Sequence, residues 1–469
     1  MKAITNIFRP FTIAAFLFSC NSDLDIQPAT TVDASSAIQN ANDVKGALIG
    51  AYNRLGSQNL YGGGVYVYSD LLASTSSDIN FRGTFQDLQQ IAVKTIPVNN
   101  GFVAGLWLDA YATINNANEV LANLNLLSNV DKNQIEGEAK FIRASMYFEL
   151  VKVFAKPWND GDPTTNPGVP IVLVPTHSIA DADLKPARNT VKEVYDQIIN
   201  DLKDAEQFLP PPSNVTYYYA TTGAATAQLA RVYLLQGDYL NALNAANTVI
   251  SSNQYKLVAD YAEEFPYLGR GARIYNTTED IFALQVSEQQ GTNAMNTYYA
   301  SSDKGGRGDI HISPDFLNLF SATDTRAALL VDDQTGSGYY YSEKFDNLYG
   351  NIKILRLAEM YLVRAECNVR LGSNTGDAPL NDINLIRLRA NTNLLASVTV
   401  DDIINERFIE LAFEGQWLFD YKRTNTTNPN WGNDINNVPL AWNSNQMVFP
   451  IPQRETIVNE NLIQNDGYN

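Results

Sequence analysis

Glu406, Glu410 and Glu414 recur every four residues, the spacing that sets side chains on one face of a helix. Two carboxyl groups can cleave a glycosidic bond when they flank it at roughly 5 to 9.5 Å, one as acid and the other as base or nucleophile. Carboxylates on a single helix form a ridge instead of two opposed walls, and Arg407 and Arg423 stand nearby to pair with them. The spacing therefore predicts structural ion pairs. Arg356, Glu359, Arg364 and Glu366 read the same way, and Glu138 and Arg143 are expected to be buried or half-buried partners. His177 and His311 are the two histidines of the chain, far apart in sequence, which argues against a His-rich zinc site or a His-based dyad. The chain carries no phosphate-cradling loop, nucleophile elbow or metal-ligand spacing. Asp332-Asp333 could hold a structural calcium ion but lacks the spacing of an EF-hand loop, so no motif predicts one. Neither an enzyme nor a cofactor is expected.

The loops offer a different chemistry. Flat apolar faces suit the C–H side of sugar rings, while amides, carboxylates and guanidinium groups suit the hydroxyls. Three stretches outside the helical pattern supply that mixture: Asp78-Ile79-Asn80-Phe81-Arg82-Gly83-Thr84-Phe85-Gln86, Asn296-Thr297-Tyr298-Tyr299 and Tyr339-Tyr340-Tyr341. The candidate ligand residues are Asp78, Asn80, Phe81, Arg82, Phe85, Tyr298, Tyr299 and Tyr339, expected to form one platform outside the core. For each ring the competing reading is packing, since contiguous exposed apolar patches mark binding and single rings do not. Trp431 and Trp442 in the tail are the next candidates. Arg307-Gly308-Asp309 resembles an adhesion tripeptide, but three residues in a Gly-rich loop favour chance.

Composition narrows the partners. The chain has 469 residues, 33 basic and 51 acidic, for a net charge of −18, which argues against nucleic acid or anionic lipid as the main ligand and leaves neutral ligands. Two cysteines are present, Cys20 and Cys367. Lys2 and Arg9 precede the apolar stretch Phe11 to Ser19, and Leu17-Phe18-Ser19-Cys20 reads as a bacterial lipobox. That stretch is too short to span a bilayer and reads as a signal peptide over 1–19. Acylation of Cys20 would then tether the protein to outer-membrane lipid, with about 0.8 kcal/mol from each buried methylene. Cys367 is left as a small core residue.

The elements that must position these residues are mostly helices. Apolar residues at three and four residue spacing predict helices over Asp43–Leu55, Phe102–Leu127, Lys132–Phe154, Val191–Leu209, Thr222–Gln236, Tyr239–Ser251, Asn351–Leu371, Ala378–Ala390 and Thr399–Phe413. A small residue three positions before a Tyr recurs at Ala144/Tyr147, Ala230/Tyr233 and Ala358/Tyr361. In the clearest copy Leu229, Ala230, Tyr233, Gly237, Tyr239, Ala242 and Ala246 follow the spacing of a tetratricopeptide helix pair, with Gly237-Asp238 as the turn. The expected fold is mainly α, a tetratricopeptide-like helical-repeat scaffold with an irregular capping region containing little β structure. Its parts are a helical-repeat segment over 20–254, a capping insertion over 255–350 rich in Gly and aromatic residues, and a C-terminal part over 351–469 that ends in a non-helical tail.

An ordered set of motifs carries a family resemblance. It runs from Cys20 with Leu24-Asp25-Ile26-Gln27-Pro28, through Trp107, Tyr111, Ile114 and Asn118, to Gly137-Glu138-Ala139-Lys140-Phe141-Ile142-Arg143-Ala144 and Gly168-Val169-Pro170. It continues with Arg188, Val191 and Tyr195, Leu229-Ala230-Arg231-Val232-Tyr233, and Arg356-Leu357-Ala358-Glu359-Met360-Tyr361-Leu362. It closes with Glu406-Arg407, Glu410-Leu411, Phe413-Glu414-Gly415 and Phe449-Pro450-Ile451-Pro452. Over nearly the whole mature chain the sequence resembles the SusD/RagB family, surface glycan-binding lipoproteins of Bacteroidota. Gln416 stands where that family usually has Arg, and Glu460 where it usually has Pro. The resemblance implies a cell-surface, outer-membrane protein that binds oligosaccharide or polysaccharide and delivers it to a SusC-like TonB-dependent transporter. It also implies that the stretch Asp78 to Gln86 lies where the family's binding loop falls. It does not fix the ligand: some members bind peptides, and a scaffold that binds only proteins is a further alternative.

Overall fold

The structure, a computed structural model, describes residues 38–177, 185–212, 218–269, 271–289, 293–334, 336–434 and 437–468. Cys20 and the apolar stretch before it lie outside the described residues. The N-terminal half consists of α1 (Ala41–Leu55), α2 (Gly64–Ala73), α3 (Gln86–Ala92), α4 (Gly101–Ala122), α5 (Asn129–Phe154), α6 (Val191–Phe208), α7 (Thr222–Gln236) and α8 (Tyr239–Ser251). Within the capping region lies α9 (Ala294–Tyr299), and after it come α10 (Leu357–Leu371), α11 (Pro379–Arg389), α12 (Val400–Glu410), α13 (Trp417–Arg423) and α14 (Gln453–Val458). Helix α5 packs between α4 and α6, α7 between α6 and α8, and α10 against α8, α11 and α12. Each helix thus covers its neighbours' apolar stripes, as helical-repeat arrays do.

Local chemistry sets the boundaries. Capping boxes at Thr190/Glu193 and Thr399/Asp402 open α6 and α12, satisfying amides that have no partner within the helix. Gly237 closes α7 in the left-handed conformation at φ 72°, and the Asp238 side chain then accepts from the Asn241 amide to start α8; this is the turn the repeat spacing predicts. Ala144, Ala230 and Ala358 are all fully buried, consistent with close helix approach at small side chains. At Gly137 a Cβ would lie 3.0 Å from Leu209, so the absence of a side chain lets α5 and the end of α6 meet.

Three small sheets make the cap. β1 (Ile79–Phe81), β4 (Ile310–Ile312), β6 (Tyr340–Ser342) and β5 (Leu330–Asp332) form one sheet in the order β1-β4-β6-β5. β2 (Arg273–Ile274) pairs parallel with β7 (Tyr349–Gly350), and β3 (Asp280–Leu284) antiparallel with β8 (Ile352–Arg356). This corrects the helix expected over Asn351–Leu371, since its first turn and more is strand β8. Ile352, Ile354 and Leu355 are buried there, and over five residues a run buried on both faces reads equally well as helix or strand.

Helices α2, α3, α9, α13 and α14 were not anticipated. All ten residues of α2 are buried, so the helix lacks the polar stripe that betrays an amphipathic one. Its Asp70 takes hydrogen bonds from the Tyr299 hydroxyl at 3.0 Å and the Gly415 amide at 3.1 Å. Burial pushes this carboxyl up to about 8 against the pull of those two donors. No helix of the described residues is long and apolar enough to cross a membrane.

Candidate functional site

The acidic series of the C-terminal half lies in the interior. Glu406 and Glu410 are 1% and 0% exposed. Helix α12 ends at Glu410, so Glu414 lies past it and does not share the expected ridge. The partners also differ from Arg407 and Arg423: Glu406 is held by Arg326 at 2.6 Å and Arg387 at 2.5 Å. Glu410 meets Arg326, Arg356 and Arg389. Glu414 meets Lys344 at 2.6 Å and Arg356 at 2.8 Å. Arg407 and Arg423 turn instead to Asp420, and Arg423 also to Glu366. Burial disfavours a charged Glu414, yet Arg356 and Lys344 outweigh it and hold the carboxyl at about 2. Arg143 pairs with Asp201 at 2.8 Å, while Glu138 accepts from Gln134; the two are not partners of each other.

The four-stranded sheet gathers the loop residues that the sequence scatters. Antiparallel β1 and β4 place Asn80 opposite His311, and β5 and β6 place Val331 opposite Tyr341. Directly paired residues share a face, and the face alternates along each strand. Ile79, Phe81, Ile310, Ile312, Leu330 and Ser342 are buried on the inner side. Asn80, His311, Tyr341 and Val331 take the outer side, with Arg82 and Tyr339 one pleat further along. The Arg82 amide donates to the Asp309 carbonyl at 2.6 Å, extending the β1–β4 ladder by one residue and fixing Arg82 at the end of β1, from which its side chain reaches across β4. Its guanidinium carbon lies 4.2 Å from the Tyr339 ring centroid.

A second cation–ring pair stands beside the first. The Arg307 guanidinium carbon lies 4.7 Å from the centroid of Phe85, while its Nε donates to Asp309 at 2.7 Å and its Nη2 to Thr84 at 3.2 Å. The Arg-Gly-Asp tripeptide is thus closed on itself. Gly308 at φ 60° is required there, because a Cβ would lie 2.7 Å from the Tyr341 ring. His311 contacts Tyr341 and Tyr339 at centroid distances of 5.0 and 6.0 Å, and its Nδ1 lies 3.3 Å from Asp333. Burial, then the adjacent Arg82, hold the imidazole below its ordinary value, with Asp333 opposing.

Not every candidate reaches this surface. Arg82 and Phe85 are exposed, and Asn80 and Tyr339 half-buried. Asp78 is engaged in its own loop, accepting from the Thr75 amide and hydroxyl. Phe81, Tyr298 and Tyr299 are corrections to the expected platform, at 8%, 1% and 0% exposure. Phe81 points inward by strand alternation. Tyr298 supports Phe85 edge-on at 6.3 Å. Tyr299 packs on Phe345 and Phe413 while its hydroxyl bonds Asp70. Trp431 is also inside, its indole N–H given to the Ala73 carbonyl, and Trp442 is half-buried.

Arg307 and His311, which adjoin this face, were not among the expected ligand residues, and Tyr341 was expected only as part of its Tyr-rich stretch; the alternation Ile310-His311-Ile312 after a Gly-rich turn was the available signal. Asp332 caps the Gln334 amide and Asp333 receives the Ser337 hydroxyl. Among the described residues no group of three or more His, Cys, Asp or Glu is placed to hold a metal ion.

Residues 24–234 match a family described as starch-binding, associating with outer membrane, and residues 331–468 match the SusD family. SusD-like protein P2 of Formosa agariphila is 26% identical, over 95% of this chain and 96% of that protein. The starch-binding protein SusD of Bacteroides thetaiotaomicron is 39% identical over 125 residues, which is 25% of this chain and 22% of that protein. The crystal structure of a SusD superfamily protein from Bacteroides thetaiotaomicron superposes with a TM-score of 0.77 at 25% identity, covering 91% of this chain and all of the other. With both halves matched in order and the whole scaffold superposing, the chain belongs to the SusD family.

Proposed function

We propose that this protein is a non-catalytic, cell-surface glycan-binding lipoprotein of the outer membrane. It is anchored through acylated Cys20 and delivers oligosaccharide to a SusC-like TonB-dependent transporter. The observation that carries the binding role is the outer face of the β1-β4-β6-β5 sheet, where Arg82 on Tyr339 and Arg307 on Phe85 flank Asn80 and Tyr341 over the buried His311. Ring faces there accept the C–H side of a sugar, and guanidinium and amide N–H groups donate to its hydroxyls. A starch-binding relative supports a carbohydrate as the ligand class. The non-catalytic reading rests on the carboxylates first considered for acid–base work: Glu406 and Glu410 are buried among arginines and do not face this surface.

The test is affinity electrophoresis of the mature chain against starch and a range of plant, algal and fungal polysaccharides, with calorimetry on those that retard it and an assay for new reducing ends. Retardation by at least one polysaccharide, lost in Arg82→Ala/Tyr339→Ala and without reducing-end release, is the expected result. Binding only to peptides, or reducing-end release abolished by Glu406→Gln, would overturn it.

A further inference from the structure

A second groove lies outside this platform. It runs between α1, the residues just before α7 and the chain leaving β3, and encloses about 440 Å³, within the range of about 300 to 1,000 Å³ that holds small ligands. Tyr52, Asn53, Tyr219, Gln285 and Gln289 line it together with Ile49. Two observations bear on its occupant. Among the described residues, none of its lining side chains carries a charge, although the chain has 33 basic and 51 acidic residues. An anionic ligand would find no cation there and a cationic one no carboxylate, whereas amide groups donate to and accept from hydroxyls equally well.

The rings are also held in place before any ligand arrives. Tyr219 is 40% exposed and meets Tyr52 edge-on, with centroids 5.2 Å apart and planes at 75°. The Tyr52 hydroxyl accepts the Ala220 amide at 2.9 Å, which ties the residue after Tyr219 to α1. A fixed, exposed ring loses little freedom on binding. The turn after α1 links the two places: Gly56 and Gly62 line the groove, and between them Gln58 donates to the Tyr298 hydroxyl at 3.5 Å, behind Phe85.

We infer that this groove is a second binding site, which takes a neutral oligosaccharide with one sugar ring stacked on Tyr219 and its hydroxyls on Asn53, Gln285 and Gln289. The ligand class rests on the proposed glycan-binding role, while the location does not. Two sites on one chain would strengthen the hold on a long polymer through effective concentration.

The experiment is calorimetry of the mature chain with maltohexaose, laminarihexaose, xylohexaose and mannohexaose, with melting temperature as the control for folding. For the sugar that binds, the expected result is two hexasaccharides per chain. Tyr219→Ala weakens one about tenfold, Arg82→Ala weakens the other about tenfold, and Gln285→Ala/Gln289→Ala weakens the Tyr219 event tenfold or more. Binding of one hexasaccharide that Arg82→Ala weakens and both groove variants leave intact overturns the second site and keeps the first. Binding lost only with the groove variants supports the groove and overturns the platform. No heat with any of the four sugars counts against both.

Discussion

Arg82 and Tyr339 come from opposite halves of the chain, yet the guanidinium of one lies 4.2 Å over the ring of the other. The contact exists because β4 lies between β1 and β6, so that the long Arg82 side chain at the end of β1 reaches across β4 to the ring just before β6. It ties the end of β1 to the start of β6 across the outer face of β4.

Removing either member of that pair should weaken glycan binding and spare the fold. Arg82→Ala and Tyr339→Ala are each expected to reduce affinity by about one decade, close to 1.4 kcal/mol. In a double-mutant cycle their mutual coupling should be about 0.5 to 1 kcal/mol, typical of a cation–π pair at an exposed site. Calorimetry measures both; full affinity in both single variants would place the ligand elsewhere.

Substitution of the buried candidates should act on stability. Phe81→Ala and Tyr299→Ala are expected to lose about 3 to 5 kcal/mol, the usual range for emptying a large aromatic site in a core. Urea denaturation checks this. A binding loss in either variant at unchanged stability would return that ring to the ligand surface.

Asp70 gives the fold a pH dependence of known sign. Its carboxyl sits at about 8 in the folded protein because burial disfavours the charge, against an ordinary value near 3.9 in an unfolded chain. Between those values the folded state binds more protons than the unfolded one. Stability from this group is therefore complete below about pH 4 and declines as the pH rises toward 8, by up to about 1.4 kcal/mol per pH unit. The melting temperature of Asp70→Asn should accordingly gain on wild type between pH 5 and pH 8.5. A gap that stays constant across that range would show that Asp70 ionises normally.

The arginine cluster around Glu410 is expected to be costly to break. Arg356 bonds Glu279, Glu410 and Glu414 and is 2% exposed. Arg356→Met leaves these carboxylates with fewer partners and should cost about 3 to 5 kcal/mol in denaturant titrations, as removal of one partner from a buried pair does. A loss below about 1 kcal/mol would mean that the remaining cations compensate.

Cys20→Ser tests the anchor. The variant is expected to lose incorporation of a palmitate analogue and to leave the membrane fraction, whereas Cys367→Ser, which alters a buried thiol, keeps both. Unchanged labelling of Cys20→Ser would reject acylation at that residue.

The scaffold was legible because its signals are local. The apolar spacing of Val191 to Phe208, the capping pair Thr190 and Glu193, and the Gly237-Asp238 turn depend on neighbours within a few positions. Helix α2 was hidden for the opposite reason: burial on every side removes the contrast between faces. Strand β8 was read as helix because its identity depends on β3, remote in sequence, rather than on its own pattern. Among the candidate residues, composition picked out Arg82, Phe85 and Tyr339, which are exposed or half-buried, but could not tell Tyr298 and Tyr299, turned inward on α9, from rings at the surface.

By itself, then, the sequence determined the helices with contrasting faces, their caps and turns, the acidic balance and the family motifs. Each of these is written in short-range spacing or composition. Which side chains meet was decided only by the tertiary structure. The β1-β4-β6-β5 order aligned Asn80 with His311 and brought Tyr341 beside them, and cap and scaffold closed together around Glu406, Glu410 and Glu414. Strand register and burial follow from how distant segments pack, and no local pattern encodes the partner across a sheet.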